Sequence, residues 1–172
     1  MTYPGAGRLF HTGMVVDRLE PAMADLGAAL GIRWAEPAEV SCDVWANGLI
    51  APRTTRVTIS VDGPHHLELI EHAASPPDDR LTGGRRVHHI GMWTPDFAAE
   101  VRRLETLGFA SELSGCVEGD FPAMFSYHYN HHGGLWIEVV SQDIYDGLAS
   151  YLAGGPLMPP EKIAEEEDGR CR

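Results

Sequence analysis

The stretch RVHHIGMWTPDFAAEVRRLETLGF, residues 86–109, decides how this chain is read, because residues 8–32 have already said nearly the same thing. That earlier stretch, RLFHTGMVVDRLEPAMADLGAALGI, has a His, a Gly two positions on, a Met, then an apolar-periodic run closed by Gly. His11 and His89 align at an offset of 78 residues. A repeat of that length points to duplicated half-domains rather than to a solenoid, whose units are shorter.

Each copy opens on a β-like run and continues with a helix signal. In the first, Asp17 is the expected cap, Leu19, Met23, Leu26 and Leu30 recur near helical spacing, and Gly31 is the stop. In the second, Thr94 is the expected cap and Pro95 the first helical position; Phe97, Val101 and Leu104 form the stripe and Gly108 ends it. Three strand-like runs follow each helix: AEVSCDVWA, TTRVTISVDG and HHLELIEH, then FASELSGCV, PAMFSYHYN and GLWIEVVS. The fold class is α+β, as two βαβββ modules. The division expected is an N-terminal segment (1–7), a first module (8–72), a turn-rich linker (73–85), a second module (86–141), a C-terminal helix (142–155) and an acidic tail (156–172).

Composition narrows the function. The chain has 172 residues, 44% hydrophobic and 22% charged, enough for one well-buried core. A net charge of −12 argues against nucleic acid as a partner, since phosphate binding needs a basic footprint. No apolar run reaches the roughly 18–20 residues that span a bilayer, and MTYPGAGRLF lacks the basic start and apolar stretch of a secretory signal, so no membrane is expected and the location expected is cytoplasmic. Cys42, Cys116 and Cys171 form no zinc or redox pattern and read as incidental thiols.

Strand parity sorts the faces. In HHLELIEH, Leu67 and Leu69 suit packing under a helix, His66, Glu68 and Ile70 share the other face, and Glu71 reads as an exposed residue. In GLWIEVVS, Leu135, Ile137 and Val139 take the helix face and Trp136, Glu138 and Val140 the opposite one. On the opening strands Phe10, Thr12 and Met14 stand against His11, Gly13 and Val15, and His88, Ile90 and Met92 against His89, Gly91 and Trp93. Each module therefore puts one His and one Glu on its non-helix face. Burying an unpaired carboxylate costs at least several kcal/mol, so Glu138, inside an apolar strand, needs a cation or a proton. One divalent ion held by His11, Glu68, His89 and Glu138 answers that need, and mixed nitrogen and oxygen ligation suits Zn, Ni, Co, Mn or Fe.

The duplicated βαβββ pattern, FHTGMVV with HHIGMWT and LELIE with WIEVV, resembles the vicinal oxygen chelate superfamily, over about residues 8–141. That group includes glyoxalase I, methylmalonyl-CoA epimerase, extradiol dioxygenases and bleomycin-resistance proteins. The resemblance implies two modules side by side in a cupped, partly closed mixed sheet with helices outside, around one divalent ion. It implies the same four ligands, with His88 turned to the other face. It also implies a homodimer and a small-molecule substrate held through adjacent oxygens. Glu138 then serves as ligand and as the base that moves a proton next to a carbonyl, which makes the chain an isomerase, epimerase or lyase.

Two departures bear on the reaction. The second acid/base Glu of the epimerases has no counterpart in VWANGLIAP, where Ala46 and Asn47 precede Gly48 and Asp43 is the nearest carboxylate. Tyr129 stands nine residues before Glu138, as a catalytic Tyr does in extradiol dioxygenases, but the Asp-Pro of their signature is missing. Alternative readings are thus a ring-cleaving dioxygenase and a metal-free protein that sequesters a hydrophobic compound. In YHYNHHGG, residues 127–134, Tyr127, His128, Tyr129, His131 and His132 are candidates to line the pocket mouth and supply a general acid, His128 and Tyr129 foremost, and a solvated hairpin tip is the bland alternative. Trp93 and Trp136 fall on the site face, as core or as a substrate wall. Arg53 and Arg56 read either as surface charge or as partners for a substrate carboxylate or phosphate.

Overall fold

The computed structural model describes residues 8–72, 87–115, 117–118, 121–122, 124–155 and 157. The expected linker, the N-terminal segment, nearly all of the acidic tail, Cys116 and Cys171 lie outside these residues.

The first module runs β1 (Arg8–Val16), α1 (Leu19–Leu30), β2 (Ala38–Ala46), β3 (Leu49–Ile59) and β4 (His66–Glu71). The second runs β5 (Val87–Thr94), α2 (Phe97–Thr106), β6 (Ala110–Gly115), a two-residue pair β7 (Val117–Glu118) and β8 (Phe121–Pro122), then β9 (Phe125–Tyr129) and β10 (Trp136–Ser141). A 3₁₀ turn, Gln142–Ile144, leads into α3 (Tyr145–Leu152). The pair β7–β8 carries no signal in the sequence reading.

Eight strands form one sheet in the order β1-β4-β3-β2-β6-β9-β10-β5, and β5 returns to pair with β1. The sheet expected to be partly closed is therefore a closed barrel, which leaves these strands no unpaired edge. Each module's first and last strands are parallel neighbours, β1 with β4 and β5 with β10, and the modules join where β1 meets β5 and β2 meets β6.

Local chemistry explains the elements, with some corrections to the expected caps. The cap of α2 is Asp96, whose side chain accepts the Ala99 N–H, while Thr94 hydrogen-bonds within the Asp96 turn. No side chain of its own segment caps α1. Instead Glu71, at the end of β4, accepts the Leu19 N–H, so a carboxylate sits at the positive end of the helix. Gly31 ends α1 at φ 68°, a left-handed conformation that glycine takes without strain. Asn47 and Gly48 turn the β2–β3 hairpin with φ of 52° and 79°, the pair of positive values a tight hairpin requires.

The apolar residues divide by face. Outside the barrel, Val16, Leu19 and Leu69 pack with Met14, Leu26 and Trp34 under α1, and Val101 and Leu104 are the buried residues of α2. One end of the barrel is plugged by Phe10, Ile59, Trp93 and Val140, closed over by Leu148 and Tyr151 of α3. Phe10 belongs to this plug, contrary to strict alternation, because the β1–β5 register shifts between Leu9 and His11. A second shift, between Gly13 and Met14 on β1, skips His88 on β5. Each β-bulge adds a residue just before a site histidine and so resets the parity there.

Leu69 is fully buried between β4 and α1, so Leu69→Ala should cost about 2–5 kcal/mol in urea unfolding, while Leu49→Ala at the exposed hairpin should stay within about 0.5 kcal/mol.

Candidate metal centre

The centre is built on two rows of paired residues. In one, Gly13 of β1 lies between Glu68 of β4 and His89 of β5; in the other, Gly91 of β5 lies between His11 of β1 and Glu138 of β10. The rows are related by the repeat. Each His points its ring across the glycine of the other module. A Cβ on Gly13 would stand 1.9 Å from His89 Cε1, and one on Gly91 would stand 2.0 Å from His11 Cε1. The His-x-Gly spacing is thus a reciprocal cut-out: neither ring fits unless the other strand lacks a side chain.

Across these cut-outs the four side chains converge. His11 Nε2 lies 2.8 Å from His89 Nε2, 3.0 Å from Glu138 Oε2 and 3.5 Å from Glu68 Oε2. His89 Nε2 lies 3.2 Å from Glu68 Oε2 and 3.3 Å from Glu138 Oε2. One ligand atom from each residue falls within 4.8 Å of all the others. Donors held about 2.0–2.1 Å from a tetrahedral or octahedral ion stand roughly 2.9–3.4 Å apart, so the spacing and the donor set both fit a divalent ion. His11, His89 and Glu138 are buried and Glu68 is nearly so.

Electrostatics point the same way. Burial alone would push the His89 imidazole down, but the carboxylates of Glu138 and Glu68 outweigh it and hold it at about 9. Burial would raise the Glu138 carboxyl, yet His89 and His11 beside it hold it well below the ordinary carboxylate range. Without an ion, a proton on His89 does the neutralising. With an ion, that proton has to leave.

Two neighbours, His88 and Tyr127, flank the centre. His88, expected on the far face, is carried inward by the bulge; its Nδ1 lies 2.9 Å from His89 Nδ1 and its ring stacks on Trp136. When His89 offers Nε2 to the centre, its Nδ1–H donates to His88, which sets the tautomer. Tyr127 faces Glu138 across the β9–β10 ladder, and its ring sits 5.0 Å from that of His89. Burial and the two carboxylates push the Tyr127 phenol well up, so it stays a neutral donor.

The other candidates fall elsewhere. His128 pairs with Ile137 and is fully buried on the outer side of β9; burial pushes its imidazole down, and neither ring nitrogen has a partner among the described side chains. Tyr129 is on the Tyr127 face but lies against Trp136 and His131, two positions further from Glu138. Asp43 pairs with Pro52 and is exposed, on the outer face. Glu71, read from sequence as exposed, is half-buried and ion-paired with Arg56, which also holds Glu20 at 2.7 Å.

The profile of the Glyoxalase/Bleomycin resistance protein/Dioxygenase superfamily matches residues 10–127. No curated protein matches the sequence. Among solved structures, a hypothetical protein from Bacillus halodurans C-125 is 14% identical with a TM-score of 0.58, over 78% of this chain and 93% of that one. A methylmalonyl-CoA epimerase variant from Streptomyces coelicolor, in complex with 2-nitronate-propionyl-CoA, is 18% identical with a TM-score of 0.51, over 80% and 98%. The methylmalonyl-CoA epimerase of Mycobacterium tuberculosis is 17% identical with a TM-score of 0.50, over 95% and 97%. At these identities the shared property is the fold.

Two outcomes follow from the geometry. Gly13→Ala and Gly91→Ala should each displace the facing imidazole, lowering zinc affinity at least tenfold in competition titrations and stability by about 1–3 kcal/mol. The second concerns pH. His89 has its pKa raised by folding, so its contribution is complete below about 6.5 and is lost as pH rises through about 9. Metal-free protein should therefore lose stability over that window in calorimetric scans, and zinc-saturated protein should not.

Proposed function

The chain belongs to the Glyoxalase/Bleomycin resistance protein/Dioxygenase superfamily, and on that premise we propose that it is a divalent-metal-dependent enzyme that moves a proton next to a carbonyl of a small organic or acyl substrate. The observation that carries this reading is the convergence of two imidazoles and two buried carboxylates, one pair from each half, inside a barrel plugged at one end. The reading names an isomerase, epimerase or lyase, working in the cytoplasm as a homodimer.

His11, Glu68, His89 and Glu138 would hold the ion. When bound, it supplies Lewis-acid stabilisation of negative charge developing on the substrate oxygen. Glu138 is the group that would take the proton: its carboxylate lies 3.0 Å from His11 Nε2 at the centre, and the charge of a bound ion would keep it ionised at neutral pH. Tyr127, the neutral phenol opposite Glu138 in the ladder, is the group that would steady that carboxylate. The apolar cluster of Phe10, Ile59, Trp93 and Val140 lies beside the site, with the Phe10 ring 5.2 Å from that of His11. Asp43 is exposed and His128 pairs with Ile137 of the helix face, so this reading assigns neither a part in the reaction. Tyr129 is left as a wall beside Trp136 rather than a proton donor.

The test is solvent-deuterium exchange followed by NMR. Acyl-CoA thioesters, β-dicarbonyls and thiol adducts of 2-oxoaldehydes would be incubated with metal-loaded protein. The expected result is exchange at the carbon next to the carbonyl, abolished by chelator and reduced about 10²–10⁴-fold in Glu138→Gln. Exchange indifferent to both treatments would overturn the reading. Oxygen uptake with catechols on iron-loaded protein would replace it with ring cleavage, and a purified protein that takes up no ion would replace it with sequestration.

A further inference from the structure

Arg53 and Arg56 are three residues apart on β3, and the structure separates their fates. Arg56 lies on the outer face, ion-paired with Glu20 of α1 and Glu71 of β4. Arg53 has the opposite parity. It pairs across the hairpin with Cys42, in the same alternation that brings Val57 and Ile59 to the barrel interior. Arg53 is half-buried while its neighbours Pro52 and Thr54 are exposed. Among the described residues no carboxylate is ion-paired with it.

A half-buried guanidinium cannot shed its charge to relieve desolvation, because it stays protonated at any ordinary pH. Burial pushes the Arg53 guanidinium down, and the ionisable neighbours that oppose this are Tyr127 and Cys42, both neutral at pH 7. Arg53 therefore faces inward, on the side of the sheet that carries Tyr127, and no carboxylate among the described residues is ion-paired with it. The chain carries a net charge of −12, so its field repels an anionic ligand unless a cation stands where the ligand arrives.

We propose that Arg53 is a specificity-determining residue that binds an oxyanionic group on the substrate, a carboxylate or a phosphate lying beyond the oxygens held at the metal. The proposal deepens the functional reading above and rests on it for the location of the substrate. A guanidinium presents two parallel N–H donors to such a group, which gives orientation as well as attraction. The substrate class is then an acidic carbonyl compound, rather than a neutral diketone or an aromatic.

The probes are 2-oxo acids of four to seven carbons with a terminal carboxylate, their uncharged chain-length counterparts, and the matching terminal phosphonates. Calorimetry would measure their binding to wild type, Arg53→Gln, Arg53→Lys and Arg56→Gln, with and without zinc, after zinc affinity itself is measured. Expected is at least a tenfold preference for one charged series at one or more lengths, erased in Arg53→Gln, reduced in Arg53→Lys and kept in Arg56→Gln. Zinc affinity should be unchanged in Arg53→Gln. Whether carboxylate or phosphonate wins identifies the group. No preference at any length, or a preference that survives Arg53→Gln, would overturn the proposal while leaving the metal centre standing. Failure of wild type to bind zinc would instead strike the metal centre, and the charged-to-neutral ratio without metal would still judge Arg53.

Discussion

Two carboxylates taken out of water are the constraint around which this barrel is arranged. Glu68 and Glu138 come from the last strand of each module and meet inside, where like charges repel and where losing hydration costs several kcal/mol apiece. Only concentrated positive charge between them makes the arrangement tolerable. The imidazoles of His11 and His89 deliver part of it as ligands or as proton carriers, but they reach the same point only because Gly13 and Gly91 vacate the path. The chain must therefore align β1 antiparallel to β5 in one register, and a one-residue slip would put a side chain in each cut-out. The electrostatic demand and the strand register are one requirement.

The duplication gives a near-symmetric scaffold, and the structure breaks the symmetry at equivalent places. Both opening strands carry a bulge one residue before the site histidine, at Phe10 in the first copy and His88 in the second. Phe10 goes into the plug beside Trp93, with ring centroids 5.1 Å apart. His88 goes against Trp136 and supports His89 through Nδ1. One copy thus spends its extra residue on closing the barrel and the other on fixing a ligand. Within the described side chains His11 Nδ1 has no such partner, so the two histidines are held unequally.

Period-two alternation made much of this legible beforehand. It placed Glu68 and Glu138 opposite the helices, and the repeat aligned His11 with His89, because those positions sit on regular stretches of strand. It failed for Phe10 and His88, since a bulge is settled by pairing with a strand some 80 residues away and leaves no mark in the local sequence. Glu71 was misread for a related reason: its partners, the Leu19 amide and Arg56, come from α1 and β3. The Gly in each His-x-Gly was visible as a repeat element, but its purpose was not, because the atom it avoids belongs to the other module. Tyr127 was one of five aromatic and histidine candidates in its segment, and only the ladder singles it out by putting it opposite Glu138.

The same alternation that sorts ligands from core also sorts the charges, and there it does more than bury or expose. Arg56 and Arg53 differ in parity by an odd number of steps, so one must face α1 and the other the interior, whatever the rest of the hairpin does. On the outer face two carboxylates meet Arg56, and a salt bridge of that kind fastens a helix to a sheet. On the inner face the glutamates converge at the centre, and Arg53, of the same interior parity, has Tyr127 as an ionisable neighbour. A barrel that binds an ion with two glutamates has little net charge left at that point. A cation placed further along the same interior then gives the cavity a direction, with one end suited to a polarised oxygen and the other to an anion. Chemistry at the first end can be common to many folds of this shape; the choice of substrate is made at the second.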